Sequence, residues 1–304
     1  MRDTFVKTLT ALARQDPNIH LITGDLGFGV LKTYWEAVPD QFWNAGIAEQ
    51  AMTTMAAGMA LMGKQVVTYS IGNFPTLRCY EQIRNDCACH RADVKIVCVG
   101  SGFTYGALGM SHHATEDLAV MRALPGVVVL SPGDKQEAEA AVKAMMAYRG
   151  TCYLRLGRGG ERPIHTRLTE FQIGKAIPVR EGADAAIFFT GGIYEEVALA
   201  LEILEKRGIH PAVYSFPTVS PLDEARIKKT AGQCRLIVTC EEHTVSGGFG
   251  SAVAEVMAEN PGTAKLRRIG IRDGYSALAG DQSFLRRKYG LDGAAIAEMV
   301  EKNL

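Results

Sequence analysis

Charge of one sign is what this 304-residue chain lacks most plainly, since 33 Lys and Arg are cancelled by 33 Asp and Glu. Without a basic excess or a basic stripe there is no footprint for a phosphate backbone, so nucleic acid is not an expected partner. No apolar run is long enough to span a bilayer, so no membrane partner is expected either. The first segment, "MRDTFVKTLTALARQDP", is charged from its second residue, unlike a secretory leader. Seven cysteines, an odd number without paired spacing, read as reduced thiols and point to the cytoplasm. The cluster Cys87-Ala-Cys89-His90 fits no common zinc spacing. Also missing are GxxxxGK[ST], a GxGxxG that opens a helix after the first strand, and HExxH, which removes the commonest nucleotide and zinc-hydrolase signatures.

What the chain does have is alternation. Apolar runs of strand length ("NIHLIT", "QVVTYS", "VKIVCVG", "GVVVLS", "CYLRL") are separated by helical patterns at 46–62, 75–90, 115–124 and 134–149. Continuous apolar strands between helices indicate α/β architecture, with a mostly parallel sheet covered by helices on both faces. The pattern pauses in a Gly-, Arg- and Pro-rich linker near 157–172. A second, smaller α/β set then follows, from "AAIFFT" to "KLRRIG". The expected domains are residues 1–165 and 166–304. Ligands of open parallel sheets sit beyond the carboxyl ends of the strands, which directs attention to loops 24–31, 44–49, 70–78, 100–114, 131–134 and 156–160.

Glu49 is the most informative residue. It lies in the first turn of a helix, "AMTTMAAGMALMG", that is apolar on nearly every side and so reads as buried. A buried carboxylate needs a partner, and no cation lies within one turn. Either a distant residue or a ligand must supply the donor. His112 and His113 are adjacent in a glycine-rich strand-end loop, a better catalytic proposition than a lone histidine. Glu116 and Asp117 suit helix capping, and Ser131-Pro-Gly-Asp134 reads as a turn and N-cap. Arg155, within a strand, reads as an edge or interface residue. Arg158, past Gly157, is free to meet an anionic substrate. Arg78, Tyr80, Gln82 and Arg84 suit an interface as well as a site.

Taken together, "GDL", "NAGIAEQAMTTMAAGMAL", "RCYEQIRNDCA", "GALGMSHHATEDLAVMRALPGVVVLSPGD", "CYLRLGR", "VTCEEHTVSGGFGSAVAE" and "KYGLDGAAI" resemble the carboxy-terminal half of a transketolase, in the split form encoded as two chains. The resemblance implies a pyrimidine-binding domain followed by a transketolase C-terminal domain, with thiamine diphosphate as cofactor. It implies that Glu49 and His112 are catalytic. Glu49 would hydrogen-bond the pyrimidine N1′ and favour the imino tautomer whose 4′-nitrogen takes the thiazolium C2 proton. Phe74 would stack on the pyrimidine, with Ile71 beside it where the family has a further aromatic. His112, Arg158 and, near the chain end, Arg2 would hold a phosphorylated sugar.

Three departures stand out. Leu108 replaces a sugar-reading Asp, Gly100 or Ser101 replaces a substrate-facing His, and Ile71 and Leu77 replace two aromatics. Fewer polyol contacts imply a substrate pair other than the usual pentose phosphates. The GDG…N segment that holds diphosphate and Mg²⁺ (or Ca²⁺) in the family is not present. The resemblance therefore implies an amino-terminal partner subunit that carries it, in an α2β2 assembly in which this chain also pairs with itself. Within the same chemistry, alternatives are the β subunit of a 2-oxoacid dehydrogenase or a deoxyxylulose phosphate synthase-like enzyme. Outside it, the alternative is a non-catalytic subunit that orders a partner.

Overall fold

Val, Ile, Cys and Tyr fill the apolar runs, and such residues pack best on a pleated surface buried on both faces. The computed structural model, which describes residues 1–260, 262–272 and 274–304, builds its strands from these runs. The first half contains β1 (Ile19–Thr23), β2 (Phe42–Asn44), β3 (Gln65–Ile71), β4 (Val94–Val99), β5 (Val128–Leu130) and β6 (Cys152–Leu156). Its helices are α1 (Arg2–Ala13), α2 (Lys32–Ala37), α3 (Glu49–Leu61), α4 (Tyr80–Gln82, running into a wider turn at Ile83–Ala88), α5 (Asp117–Arg122) and α6 (Lys135–Ala147). The second half contains β7 (Ile177–Arg180), β8 (Ala186–Phe189), β9 (Ala212–Ser215), β10 (Thr218–Ser220), β11 (Leu236–Thr244) and β12 (Lys265–Ile271). Its helices are α7 (Tyr194–Glu205), α8 (Glu224–Ala231), α9 (Phe249–Glu259), α10 (Gln282–Lys288) and α11 (Gly293–Asn303).

Among the described residues the strands form two sheets, ordered β10-β5-β6-β4-β3-β1-β2 and β12-β11-β8-β9-β7. Pairing is parallel throughout except at β10 and β7, which run antiparallel at the edges. β10 belongs by sequence to the second half yet completes the first sheet, through Thr218 opposite Leu130. The halves are thus stitched together, and one core cluster runs from Met52 and Leu118 to Phe188 and Phe216. A second lies under α1 and α6, and a third under α7 and α11. β7, β10, α10 and α11 are not marked by apolar runs of the kind used above. β7 has no fully buried residue, and β10 is only three residues long.

α3 differs from the sequence expectation. Met52, Thr53, Ala56 and Ala57 are buried, but Gln50, Ala51, Thr54, Met55, Gly58 and Leu61 are exposed, and Met62 beyond the helix is 85% exposed. The lack of charge on a helix signals that it is covered, and the covering need not come from its own chain. No helix among the described residues is long and apolar enough to cross a membrane.

Candidate active site

The loops that follow β1, β2 and β3 converge on one carboxylate. Asn44 closes the first contact: its side-chain oxygen accepts from the amides of Asp25 and Gly46, and its amide group donates to Asp25. This ties the "GDL" turn to the entrance of α3. Gly46 takes φ +72°, which glycine adopts without strain, and no side chain caps α3 at Ala48. Glu49 therefore stands at the positive end of the helix, 2% exposed, where the dipole favours an anion. Gly24 faces it, and a Cβ there would lie 3.3 Å from the Glu49 Cγ.

Phe74 and Arg78 come from the coil after β3. That coil is held by Thr76 donating to the Gly72 carbonyl and by the Leu77 amide bonding the Asn73 carbonyl. The Arg78 Nη1 donates to the Glu49 Oε2 at 2.6 Å, and its guanidinium carbon lies 4.7 Å from the centre of the Phe74 ring. Of the two donors the sequence left open for Glu49, the structure has the distant residue in place, Arg78, 29 positions along the chain. Arg78 lay too far along the chain for helical spacing to reveal it.

The two histidines separate by role. His112 sets its ring edge-on to Phe74, with centroids 5.3 Å apart, and shares a 3.0 Å hydrogen bond with the Ser111 hydroxyl. His113 is buried against Phe103, and its Nε2 bonds the Gly106 carbonyl, so it props the loop. Asn73 donates to the His113 carbonyl, joining the two loops. Gly72 is nearly in contact with Ala114, where a Cβ would meet another Cβ at 3.0 Å. Glu49, Phe74, Arg78 and His112 thus form one group.

Arg158 and Arg2 belong to a neighbouring group around Tyr105. Arg158 is exposed, with its guanidinium 6.0 Å from the Tyr105 ring. Arg2 pairs with Asp3 at 2.9 Å and lies in the neighbourhood of Tyr105 and Tyr69. Tyr105 also accounts for Gly100: a Cβ at that position, φ +100°, would fall 2.4 Å from the tyrosine ring. The aromatic therefore covers the place where a side chain at 100 would project. Ile71 packs on the same core cluster as Tyr105, whereas Leu77 and Leu108 are exposed.

The expected capping role of Asp117 is corrected. It is fully buried, accepts from the Tyr153 hydroxyl at 2.6 Å and from Arg155 Nε at 2.7 Å, and makes no cap hydrogen bond. Arg155 is likewise no edge residue, since it lies in β6 between β4 and β5 and is 2% exposed. Its Nη2 donates to the Ala114 and Glu242 carbonyls, so it binds both halves of the chain. Glu242 receives the Phe103 amide, Gln282 and Arg286, which fixes the loop that leads to the histidines. Sequence reading missed this clamp. Asp134 does cap α6, through the amides of Gln136 and Glu137. Cys87 is buried and Cys89 exposed, so the two thiols face different surroundings.

Residues 1–162 match the family model described as "Transketolase, pyrimidine binding domain", and residues 174–296 the one described as "Transketolase, C-terminal domain". Among curated proteins, one of the subunits of an apulose-4-phosphate transketolase from Phocaeicola vulgatus is 35% identical over 98% of this chain and 95% of its own length. A 6-deoxy-6-sulfo-D-fructose transketolase subunit of a Clostridium species is 35% identical over 99% and 94%. Among solved structures, a split-gene transketolase described as an inactive beta4 tetramer superposes with a TM-score of 0.91 at 32% identity, covering 100% of this chain and 97% of that one.

Proposed function

Because the chain belongs to the transketolase family, and corresponds to the subunit that carries that family's pyrimidine-binding and C-terminal domains, we propose that it transfers a two-carbon ketol unit between phosphorylated sugars, with thiamine diphosphate, once joined to an amino-terminal subunit. The observation that carries this reading is the buried Glu49 at a helix N-terminus, beside the face of Phe74 and the edge of His112. The pair fits an aminopyrimidine: the carboxylate accepts from a planar donor, and the ring takes a flat, electron-poor group on its face. Arg78, a planar donor, makes both contacts at once, which supports the reading.

Bound there, thiamine diphosphate would supply the carbon nucleophile and electron sink for breaking a carbon–carbon bond. Glu49 would hold a proton at the pyrimidine N1′, where its burial makes that proton's position consequential. Phe74 would fix the ring plane. His112, edge-on to Phe74, would meet the substrate oxygens nearest the reacting carbon, as hydrogen-bond donor or proton carrier. Arg158 and Arg2, both near Tyr105, would take the phosphate, and a guanidinium fork matches its oxygens. Tyr105 over Gly100 alters the wall that reads hydroxyls. This supports a ketose and aldose pair other than the usual pentose phosphates.

A metal and the diphosphate would be held mainly by the partner, through its GDG…N segment. The exposed, uncharged face of α3 begins one residue past Glu49, at Gln50, and would offer a subunit contact where two copies of this chain pair in a two-plus-two assembly. The test is reconstitution. The chain and a GDG…N subunit, mixed with Mg²⁺ and thiamine diphosphate, should convert a member of a ketose phosphate panel to ketol-transfer products read by mass spectrometry. Turnover by this chain alone would contradict the partner requirement. Ordinary efficiency with xylulose 5-phosphate and ribose 5-phosphate would contradict the altered sugar site. Decarboxylation of a 2-oxoacid in their place would contradict ketol transfer.

A further inference from the structure

The Arg78 guanidinium makes the same two contacts that the reading above assigns to an aminopyrimidine. It is planar and cationic, donates to the Glu49 Oε2 at 2.6 Å, and lies 4.7 Å over the Phe74 ring. Resting on the cofactor reading, we propose that Arg78 is an intramolecular competitor for the pyrimidine place and sets the affinity for the cofactor by yielding it.

The local architecture suits an exchange made by the side chain alone. The backbone of residue 78 is anchored at both ends: its carbonyl accepts from the Gln50 side chain at 3.2 Å, and the following Cys79 amide bonds the Thr76 carbonyl. The side chain is held differently. It is 45% exposed against 2% for Glu49, so rotation about its own bonds carries the guanidinium into water without moving the coil. Glu49 is the fixed member, on the first turn of α3 beneath Gly24. An unpaired buried carboxylate is costly, and here it has a donor before and after the exchange. The incoming ring takes the place of the guanidinium against both Glu49 and Phe74, and one proton enters with it, because its N1′ donates to the carboxylate only when protonated and the cation leaves with Arg78. The cost of binding is the displacement of Arg78.

A protein whose competent form is only a fraction of the population binds its ligand more weakly by that fraction. The relevant experiment is titration calorimetry and stopped-flow binding of thiamine diphosphate with Mg²⁺ to the complex of this chain with its GDG…N subunit. Wild type, Arg78→Ala and Arg78→Lys would be compared. Removing the competitor is expected to tighten binding about tenfold and to speed association, with lysine intermediate because a point charge can reach Glu49 but cannot lie flat on Phe74. Before cofactor is added, Arg78→Ala should melt below wild type, and cofactor should raise its melting temperature by more than it raises the wild type's. As an arm independent of the partner, 4-amino-5-hydroxymethyl-2-methylpyrimidine should give stronger saturation-transfer signals with the Arg78→Ala chain alone.

Equal affinity and rate in wild type and Arg78→Ala would overturn the competitor role and leave the cofactor reading standing. Weaker binding in Arg78→Ala would make Arg78 a cofactor contact, which also overturns the proposal. No binding of thiamine diphosphate by any variant would remove the cofactor reading itself, and the competitor with it.

Discussion

Two arginine–carboxylate pairs in this chain look alike and are built for different ends. Arg155 and Asp117 are both sealed in the interior and bonded several times over: the carboxylate takes Tyr153 and Arg155, and the guanidinium also donates to two carbonyls, one from each half of the chain. Arg78 and Glu49 share a single short contact, with the carboxylate buried and the arginine half in water. The first pair has no route by which either member could leave. The second has one member fixed at a helix end and one on a solvent-facing side chain. A buried pair tied by several hydrogen bonds holds elements in register, whereas a half-exposed pair around a buried acid can trade its cation for something else.

The largest expected effect tests that contrast directly. Arg155→Met leaves Asp117 buried without its cation and should lower unfolding free energy by about 3–5 kcal/mol. Arg78→Ala should cost less, about 1–3 kcal/mol, because it too strips a buried carboxylate of its donor but lets water reach Glu49 where the half-exposed guanidinium stood. Urea unfolding of the two variants measures both. Equal losses would dissolve the distinction.

A second test probes the seam beside Arg155. Burial pushes the Glu241 carboxyl up to about 7, even though the Phe249 and Gly250 amides donate to it, and pushes the His243 imidazole down to about 4. The signs are opposite. Folded Glu241 keeps a proton that the unfolded chain releases near its ordinary value of about 4.3, so its contribution is complete at low pH and is lost as pH rises toward 7. His243 in the folded chain refuses a proton that the unfolded chain accepts below about 6.5, so its contribution is present above that pH and is lost toward pH 4. Between these limits the two slopes oppose each other. Glu241→Gln removes one of them, and its stability relative to wild type should rise with pH between about 4.5 and 7. A pH-independent difference would show that Glu241 does not titrate in that window.

Much of the fold was legible because the buried strands are continuous apolar runs, which local pattern reports well. β10 was not, since three residues of ordinary composition become a strand only when β5 offers an edge. The site divides in the same manner. Glu49 could be picked out by the contrast between one acid and an uncharged helix, and His112 by its glycine-rich loop. Arg78 could be named only as suited to an interface or a site, and neither its pairing with Glu49 nor the parts of Tyr105 and Asn73 could be read, because each acts across a distance in sequence that only the tertiary structure closes. Asp117 was misread for the same reason: at the start of a helix an acid looks like a cap, and only the fold brings Arg155 to it. The exposed face of α3 teaches a related lesson, as pattern reports that a surface is apolar without reporting which chain covers it.

Glu49 is proposed as the carboxylate that shares a proton with the cofactor's ring once Arg78 has given way. Deuterium exchange at the thiazolium C2 of thiamine diphosphate, bound to the reconstituted pair and followed by quenched-flow proton spectra, reads this step without any sugar present. Glu49→Gln should slow the exchange at least about a hundredfold, the usual scale of a lost proton-transfer group, with cofactor still bound. An unchanged exchange rate in that variant would contradict the role given to Glu49.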